Sequence, residues 1–113
     1  MVHLVTAIIR PHKLQEVEDV LRGIGVTGLT VTEVRGYGRQ GGKTETYRGS
    51  EYRLAFLPKI KVEAVVDTAD VDKVINAITS AARTDKVGDG KIWAVDVDRL
   101  MRIRTGEFGS EAL

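Results

Sequence analysis

A strand–helix–strand pattern occurs twice along this chain of 113 residues, and two such units in so short a chain leave few possible folds. In the first unit, the β-branched run from Val2 to Ile9 predicts a strand that Arg10-Pro11 ends. Apolar residues then recur at helical spacing, at Leu14, Val17, Leu21 and Ile24. Gly23 or Gly25 suits the end of this helix, and the segment from Thr27 to Arg35 predicts the next strand.

The second unit begins with a predicted strand from Leu54 to Val66 whose side chains alternate in polarity. One face is apolar, and the opposite face is charged at Lys59, Lys61 and Glu63. The apolar face consists of Ile60, Val62, Ala64 and Val66. Asp70 is placed to cap a second helix, whose apolar stripe is Val71, Val74, Ile75, Ile78 and Ala81 or Ala82. A last strand is predicted from Lys91 to Val97.

Two such units in one domain of residues 1–113 predict an α+β fold, the ferredoxin-like sandwich, with both helices on one face of an antiparallel sheet. The other face of that sheet needs a cover, and we expect Val5, Ala7 or Ile9 to lie on it. Because a chain this short buries a modest fraction of its surface, association of identical chains is a natural way to enlarge the core.

Composition limits the partners and the compartment. With 17 basic and 16 acidic residues, the net charge of +1 argues against a dominant electrostatic attraction to nucleic acid or an acidic membrane. The chain has no cysteine, which excludes disulfides, thiolate metal sites and cysteine nucleophiles. Its first residues have neither a basic region nor a long apolar run, so we expect no signal peptide and a cytoplasmic protein.

A long polar segment, residues 37–53, separates the two units. Gly36, Gly38 and Gly41 have the G-x-G-x-x-G spacing of dinucleotide-binding loops. Such loops place a helix behind the glycines, but the residues from Lys43 to Glu51 have no helical apolar stripe. The dinucleotide-binding interpretation therefore fails, and a polar connection of this length is usually functional or disordered.

Two other segments have chemistry suited to anions. Gly88 and Gly90 can expose backbone amides to an anion with Lys91 beside them, and a tight Asp-Gly turn is the alternative. In an extended segment, Arg102 and Arg104 would point to the same side as a phosphate clamp, and a solvated sheet edge is the alternative. Together the two segments would enclose a polyphosphate if they met across a cleft, most economically between subunits. No catalytic constellation is evident, so we do not expect an enzyme.

Several segments resemble the PII signal-transduction proteins, and the match runs nearly end to end. YRGSEY at Tyr47–Tyr52 and TDKVGDGKIW at Thr84–Trp93 look like the two signatures of that family. GRQGGKTE, FLPKIKVE and RIRTGE are similar to the family too. Two long, separated motifs in register with the predicted fold make this resemblance specific.

The resemblance implies a homotrimer that binds ATP or ADP in clefts between its subunits. The implied nucleotide-binding residues are Thr30, Gly38, Arg39, Gln40, Glu63, Val65, Thr84, Gly88, Asp89, Gly90, Lys91, Arg102 and Arg104. Residues 84–91, called the glycine turn below, and the C-terminal loop of residues 102–109 would hold the phosphates. With Mg²⁺-ATP bound, the protein would take up 2-oxoglutarate. Gln40 would then offer its amide oxygen to Mg²⁺, and Lys59 would pair with a ligand carboxylate.

The resemblance also makes the polar segment, about residues 37–55, the mobile T-loop that partner proteins contact. Tyr52 aligns with a nucleotidylation site, Ser50 with a phosphorylation site of some relatives, and Arg48 with the residue that plugs ammonium channels. The implied function is a non-enzymatic transducer of nitrogen, carbon and energy status. Its expected partners are an ammonium channel that recruits it to the membrane, nitrogen-assimilation enzymes, modifying enzymes and regulators, with no nucleic acid.

Three positions depart from the family pattern. Asp85 stands where glycine is usual, and a carboxylate near phosphates would oppose nucleotide binding. Gly41 and Lys43 occupy loop positions where Lys and His are common, which would alter the choice of partner. An RNA-binding module is the alternative function, although it would need stacking aromatics on central strands. A nucleotide-dependent transferase ranks third because no base, nucleophile or Walker motif is present.

Overall fold

The computed structural model describes residues 1–38 and 56–113, which form one four-stranded antiparallel sheet and two α-helices. The strands are β1 (Val2–Ile9), β2 (Thr30–Gly36), β3 (Leu57–Asp67) and β4 (Lys91–Val97). The helices are α1 (Leu14–Gly23) and α2 (Val71–Ala82). The strand order is β2-β3-β1-β4, so the two central strands are the first strands of the two units. The predicted ferredoxin-like fold is confirmed.

The core lies between the two helices and one face of the sheet. β3 contributes the apolar face that its alternation predicts, namely Ile60, Val62, Ala64 and Val66. The helices contribute Val17, Leu21, Val74, Ile78 and Ala82, all of which belong to the predicted stripes. Of the two alternatives predicted at the end of α2, Ala82 is the buried one. The helical spacing of the sequence therefore identified the buried side of both helices.

The expectation for the helix-free face of the sheet was wrong. Val5, Ala7 and Ile9 are almost fully buried on the helix side, where they pair with Ala64, Val62 and Ile60 of β3. The helix-free face instead carries the other alternating set of β1, which is Leu4, Thr6 and Ile8. These residues pair with Val65, Glu63 and Lys61. β1 is apolar on both faces, so alternation alone did not show which set the helices cover.

α1 ends in a glycine cap, for which the sequence offered Gly23 or Gly25. Gly25 adopts a left-handed conformation with φ of 97°, and its N–H donates to the Arg22 carbonyl at 3.1 Å. The N–H of Val26 donates to the Leu21 carbonyl at 3.0 Å. This pair of bonds is the Schellman arrangement, which satisfies carbonyls at the helix end and favours glycine at the left-handed position.

The start of one strand and the capping bond of one helix differ from the prediction. β2 begins at Thr30, where pairing with Glu63 of β3 starts, and not at Thr27. Asp70 occupies the N-cap position of α2, but its side chain makes no capping hydrogen bond and lies 3.8 Å from the Lys73 ammonium. The predicted start of β3 at Leu54 lies outside the described residues. In the part of the chain that the structure describes, no helix is long and apolar enough to cross a membrane.

Candidate functional site

The helix-free side of the sheet carries two separate concavities. One, of about 600 Å³, lies beside the glycine turn and is called the glycine-turn cleft; its lining includes Gly38, Lys59, Gly88, Gly90 and Lys91. The other, of about 400 Å³, is called the C-terminal cleft; its lining includes Thr30, Glu63, Val65, Leu100 and Leu113.

Glycine is required at two points of the glycine turn. Gly88 and Gly90 have φ values of 106° and 102°, in the left-handed region that L side chains rarely adopt. A Cβ at Gly90 would lie 1.7 Å from the carbonyl oxygen of Ile8, so the turn packs its backbone directly against β1. The Asp-Gly turn of the sequence is therefore real, and it brings bare backbone to the edge of the cleft.

The carboxylate of Asp89 organises this turn from within. One oxygen accepts hydrogen bonds from the backbone N–H groups of Thr84 and Asp85, at 2.7 and 2.9 Å. The other oxygen accepts from the Thr84 hydroxyl and from Arg10 Nε, the latter at 3.0 Å. These bonds, led by the Thr84 hydroxyl, hold the pKa of Asp89 far below its usual range, although desolvation acts in the opposite direction.

Lys59 connects β3 to the same turn. Its ammonium group donates to the Gly88 carbonyl at 2.7 Å, and the residue lines the glycine-turn cleft. Burial lowers the pKa of Lys59, the nearby Arg10 lowers it further, and Asp89 raises it. The side chain therefore places a cation at the floor of the cleft in a partly desolvated position, where an anionic ligand would be attracted strongly.

The C-terminal loop is not extended, contrary to the conformation considered for the arginine pair. Met101 and Phe108 form an isolated antiparallel β-bridge. The Gly106 N–H donates to the Arg102 carbonyl at 2.7 Å, so residues 102–106 form a turn. The guanidinium group of Arg102 donates to the Glu107 carboxylate at 2.8 Å and to the Leu113 carbonyl at 2.7 Å. The spacing of Arg102 and Arg104 is compatible with a strand. It carries no information about the pairing of Met101 with Phe108, which closes the turn.

The two clefts divide the predicted ligand-binding residues into two sets. Gly38, Lys59, Gly88, Gly90 and Lys91 meet at the glycine-turn cleft, whereas Thr30, Glu63 and Val65 meet at the C-terminal cleft. Arg102 adjoins the second set, because it contacts Leu113. Lys59 and Val65 are six positions apart on β3, which corresponds to about 20 Å at the rise of a strand. Within the described residues of one chain, the two sets therefore line different clefts.

Other predicted residues have different placements. Thr84 and Asp89 lie within the glycine turn and are bonded to each other. Arg104 lies at the exposed tip of the C-terminal turn. The remaining predicted residues, Arg39, Gln40, Gly41, Lys43, Arg48, Ser50 and Tyr52, fall outside the described residues.

Sequence reasoning did not assign Arg10 to the site. The residue was interpreted only as the end of a strand, but its side chain reaches both Asp89 and the Val87 carbonyl. The signal that would have found it is the strand register, since Ile8 pairs with Lys91 and the end of β1 must then lie beside the glycine turn. Tyr37 was also not assigned; it lines the glycine-turn cleft and contacts Phe56 edge to face.

Comparisons with known proteins identify the family and match the overall fold. The family model described as "Nitrogen regulatory protein P-II" matches residues 2–107. The chain belongs to the P-II family. The P-II protein of Rhizobium etli is 56% identical over 110 residues, covering 97% of this chain and 98% of the relative. The GlnK protein of Escherichia coli K12 is 51% identical over 110 residues, with the same coverage.

A solved P-II structure matches as well. The Arabidopsis thaliana PII protein, in a crystal structure bound to citrate, superposes with a TM-score of 0.82 and 39% sequence identity. The match covers 99% of this chain and 92% of the Arabidopsis chain. The relatives are named as regulatory proteins of nitrogen metabolism, so this P-II family member is a non-enzymatic regulator.

Proposed function

We propose that this P-II family protein senses nitrogen, carbon and energy status by binding ATP or ADP in clefts between the subunits of a homotrimer. The observation that carries this proposal is the division of the predicted nucleotide-binding residues between two clefts of the helix-free face. A second copy of the chain would supply one set where the first supplies the other, and the complete site would lie at their junction.

The chemistry of each cleft suits a different part of a nucleotide. The C-terminal cleft combines the Thr30 hydroxyl, the Glu63 carboxylate and the apolar Val65, a set that suits a base and a ribose. The glycine-turn cleft combines backbone at Gly88 and Gly90 with the cations of Lys59 and Lys91, a set that suits phosphates. Arg102 and Arg104 would add charge from the neighbouring subunit.

Uptake of 2-oxoglutarate in the presence of Mg²⁺-ATP is the finer part of the proposal. Mg²⁺ bound to the nucleotide would supply a hard cation for ligand oxygens, and Gln40 would add its amide oxygen. Lys59 would exchange the Gly88 carbonyl for a carboxylate of 2-oxoglutarate. The Arabidopsis relative bound to citrate supports this step, since it shows that one member of the fold accepts a small carboxylate ligand.

The output would pass through the T-loop, about residues 37–55, of a single domain that spans residues 1–113. Arg48 would contact an ammonium channel, and Tyr52 or Ser50 would accept a covalent modification. The E. coli relative GlnK supports regulatory contact with proteins of nitrogen metabolism. The protein would act in the cytoplasm and reach the membrane through the channel.

Calorimetric titration tests this function, first with ATP and then with 2-oxoglutarate, with and without Mg²⁺. We expect ATP to bind, and 2-oxoglutarate to bind only when Mg²⁺-ATP is present. In Lys59→Met, ATP binding should weaken because one cation near the phosphates is removed, whereas 2-oxoglutarate binding should be lost. Binding of ATP without 2-oxoglutarate would remove the nitrogen-sensing role, and absence of both would remove the nucleotide mechanism and make RNA binding the next test.

A further inference from the structure

We infer that Arg10 is a positioning residue that acts through Asp89 to hold the glycine turn in the shape that receives phosphates. This inference rests on the proposed function, because it assigns a support to the phosphate-binding part of that site. Arg10 follows β1 directly, and neither it nor its contact with Asp89 belongs to the predicted ligand set.

The geometry shows a closed arrangement around one carboxylate. Asp89 joins the start of the glycine turn to its end, because it accepts from Thr84 and Asp85 while lying itself between Gly88 and Gly90. These bonds restrain a turn in which Asp85, Gly88 and Gly90 all have left-handed conformations. The carboxylate therefore fixes the backbone that borders the cleft.

Arg10 ties this arrangement to the sheet. Its Nε donates to Asp89 at 3.0 Å, and its Nη2 donates to the Val87 carbonyl at 2.9 Å. The side chains of Arg10 and Asp89 are only 17% and 23% exposed, so solvent screens the pair less than an ordinary surface ion pair. A guanidinium group can make both contacts at once because its donors are fixed in a planar fork.

The pair also controls charge beside the cleft. Asp89 places a negative charge within the turn that would hold phosphates, and Arg10 offsets it at direct contact. With that charge offset, Lys59 and Lys91 give the lining of the cleft a positive character. Loss of Arg10 would therefore weaken phosphate binding in two ways, through the shape of the turn and through an exposed carboxylate.

The test compares a ligand with phosphates and a ligand without them. ATP would be titrated by calorimetry, and adenosine by NMR chemical-shift changes, against wild type, Arg10→Lys, Arg10→Gln and Asp89→Asn. Arg22→Gln is the matched control, because Arg22 pairs with Glu18 on α1 at 2.7 Å, away from both clefts. Thermal unfolding of every variant would separate loss of ligand from loss of fold.

We expect Arg10→Gln to weaken ATP binding about tenfold, equivalent to about 1.4 kcal/mol, while adenosine binding changes less than about twofold. Arg10→Lys should fall between wild type and Arg10→Gln, since an ammonium group keeps the charge but not the two-point contact. Asp89→Asn should also weaken ATP binding, although it removes a negative charge, because an amide has one oxygen and cannot accept both the backbone N–H bonds and the bond from Arg10. Arg22→Gln should match wild type.

Three results would overturn the inference. Unchanged ATP binding in Arg10→Gln would show that the turn keeps its shape without the pair. Equal losses for ATP and adenosine, together with a lower unfolding temperature, would reduce Arg10 to general stability. Tighter ATP binding in Asp89→Asn would show that charge alone matters. If the wild-type protein bound no ATP, the proposed function itself would fail. If the wild-type protein bound ATP and the variants bound it equally well, only the inference about Arg10 would fail.

Discussion

At the scale of single residues, the glycine turn depends on backbone conformations that side chains oppose. Among the described residues, Asp85 is the one residue other than glycine with a positive φ, at 69°. Aspartate tolerates the left-handed region better than most residues do, which explains how it occupies this position. Gly90 is different, because no side chain fits between its backbone and β1.

Gly90→Ala should lower the free energy of unfolding by more than about 2 kcal/mol, since the new Cβ meets the Ile8 carbonyl and the backbone is left-handed. Urea denaturation followed by circular dichroism would measure the change. Gly23→Ala is the control, because no atom lies within 4 Å of its Cβ position and it ends a helix. The control should be neutral or stabilising, and equal losses in both variants would contradict the steric explanation.

Asp85→Asn and Asp85→Gly separate the charge of this residue from its conformation. Both should tighten ATP binding about two- to threefold at low salt, because both remove a carboxylate near the phosphates, and the gain should shrink at high salt. Only Asp85→Gly should also raise the unfolding free energy, by up to about 1 kcal/mol. Calorimetry and urea denaturation give the two readouts, and tighter binding in Asp85→Gly alone would assign the effect to the backbone.

At the scale of elements, the glycine turn is stabilised by a carboxylate whose pKa is low in the folded state. Below about pH 4 the unfolded chain takes up a proton at Asp89 while the folded chain does not, so protonation favours unfolding. The stabilisation from Asp89 is present above that pH and is lost as the pH falls toward the folded pKa.

Asp89→Asn should therefore be less stable than wild type at pH 7, and the difference should diminish as the pH falls below about 4. Urea denaturation of both proteins between pH 3 and 7 would measure it. Asp98→Asn serves as a control because Asp98 is 97% exposed in its weak pair with Arg99. A constant difference between Asp89→Asn and wild type across this range would mean that the lost bonds do not depend on the charge.

The elements themselves were predictable to different degrees. The stripe of α1 and the alternation of β3 identified their buried residues, because the period of each element is a property of local sequence. The start of β2 was placed three residues early, because Thr27 and Leu29 suit a strand, but none of residues 27–29 has a partner in the sheet. The turn at Arg102 was not anticipated, because it is closed by Phe108, Glu107 and Leu113.

At the scale of the whole molecule, the proposed assembly rests on the helix-free face of the sheet. On this face, Trp93 and Val95 of β4 are exposed. They lie beside Leu4, Thr6 and Ile8 of β1, the strand that pairs with β4. The apolar patch that these residues form on β1 and β4 favours burial against another copy of the chain. The proposed trimer would cover it and join the two clefts in one step.

Val95→Glu should dissociate the proposed trimer, because it places a charge on the helix-free face. Val31→Glu is matched to it: Val95 is 48% exposed and Val31 is 45% exposed, but Val31 pairs with Val62 and so lies on the helix side. Sedimentation velocity should show smaller species for Val95→Glu alone, with weaker ATP binding. Dissociation by both variants, or by neither, would contradict assembly through this face.

The sequence by itself determined the two repeated units, the fold that they form and the kinds of residue suited to an anion, because periodicity and turn chemistry are local. Only the tertiary structure decided which face of β1 the helices cover, and it divided the ligand residues between two clefts. It also brought Arg10 to Asp89 across 79 positions of sequence. Contacts of that range depend on strand order and register, and these are set by how the whole chain packs.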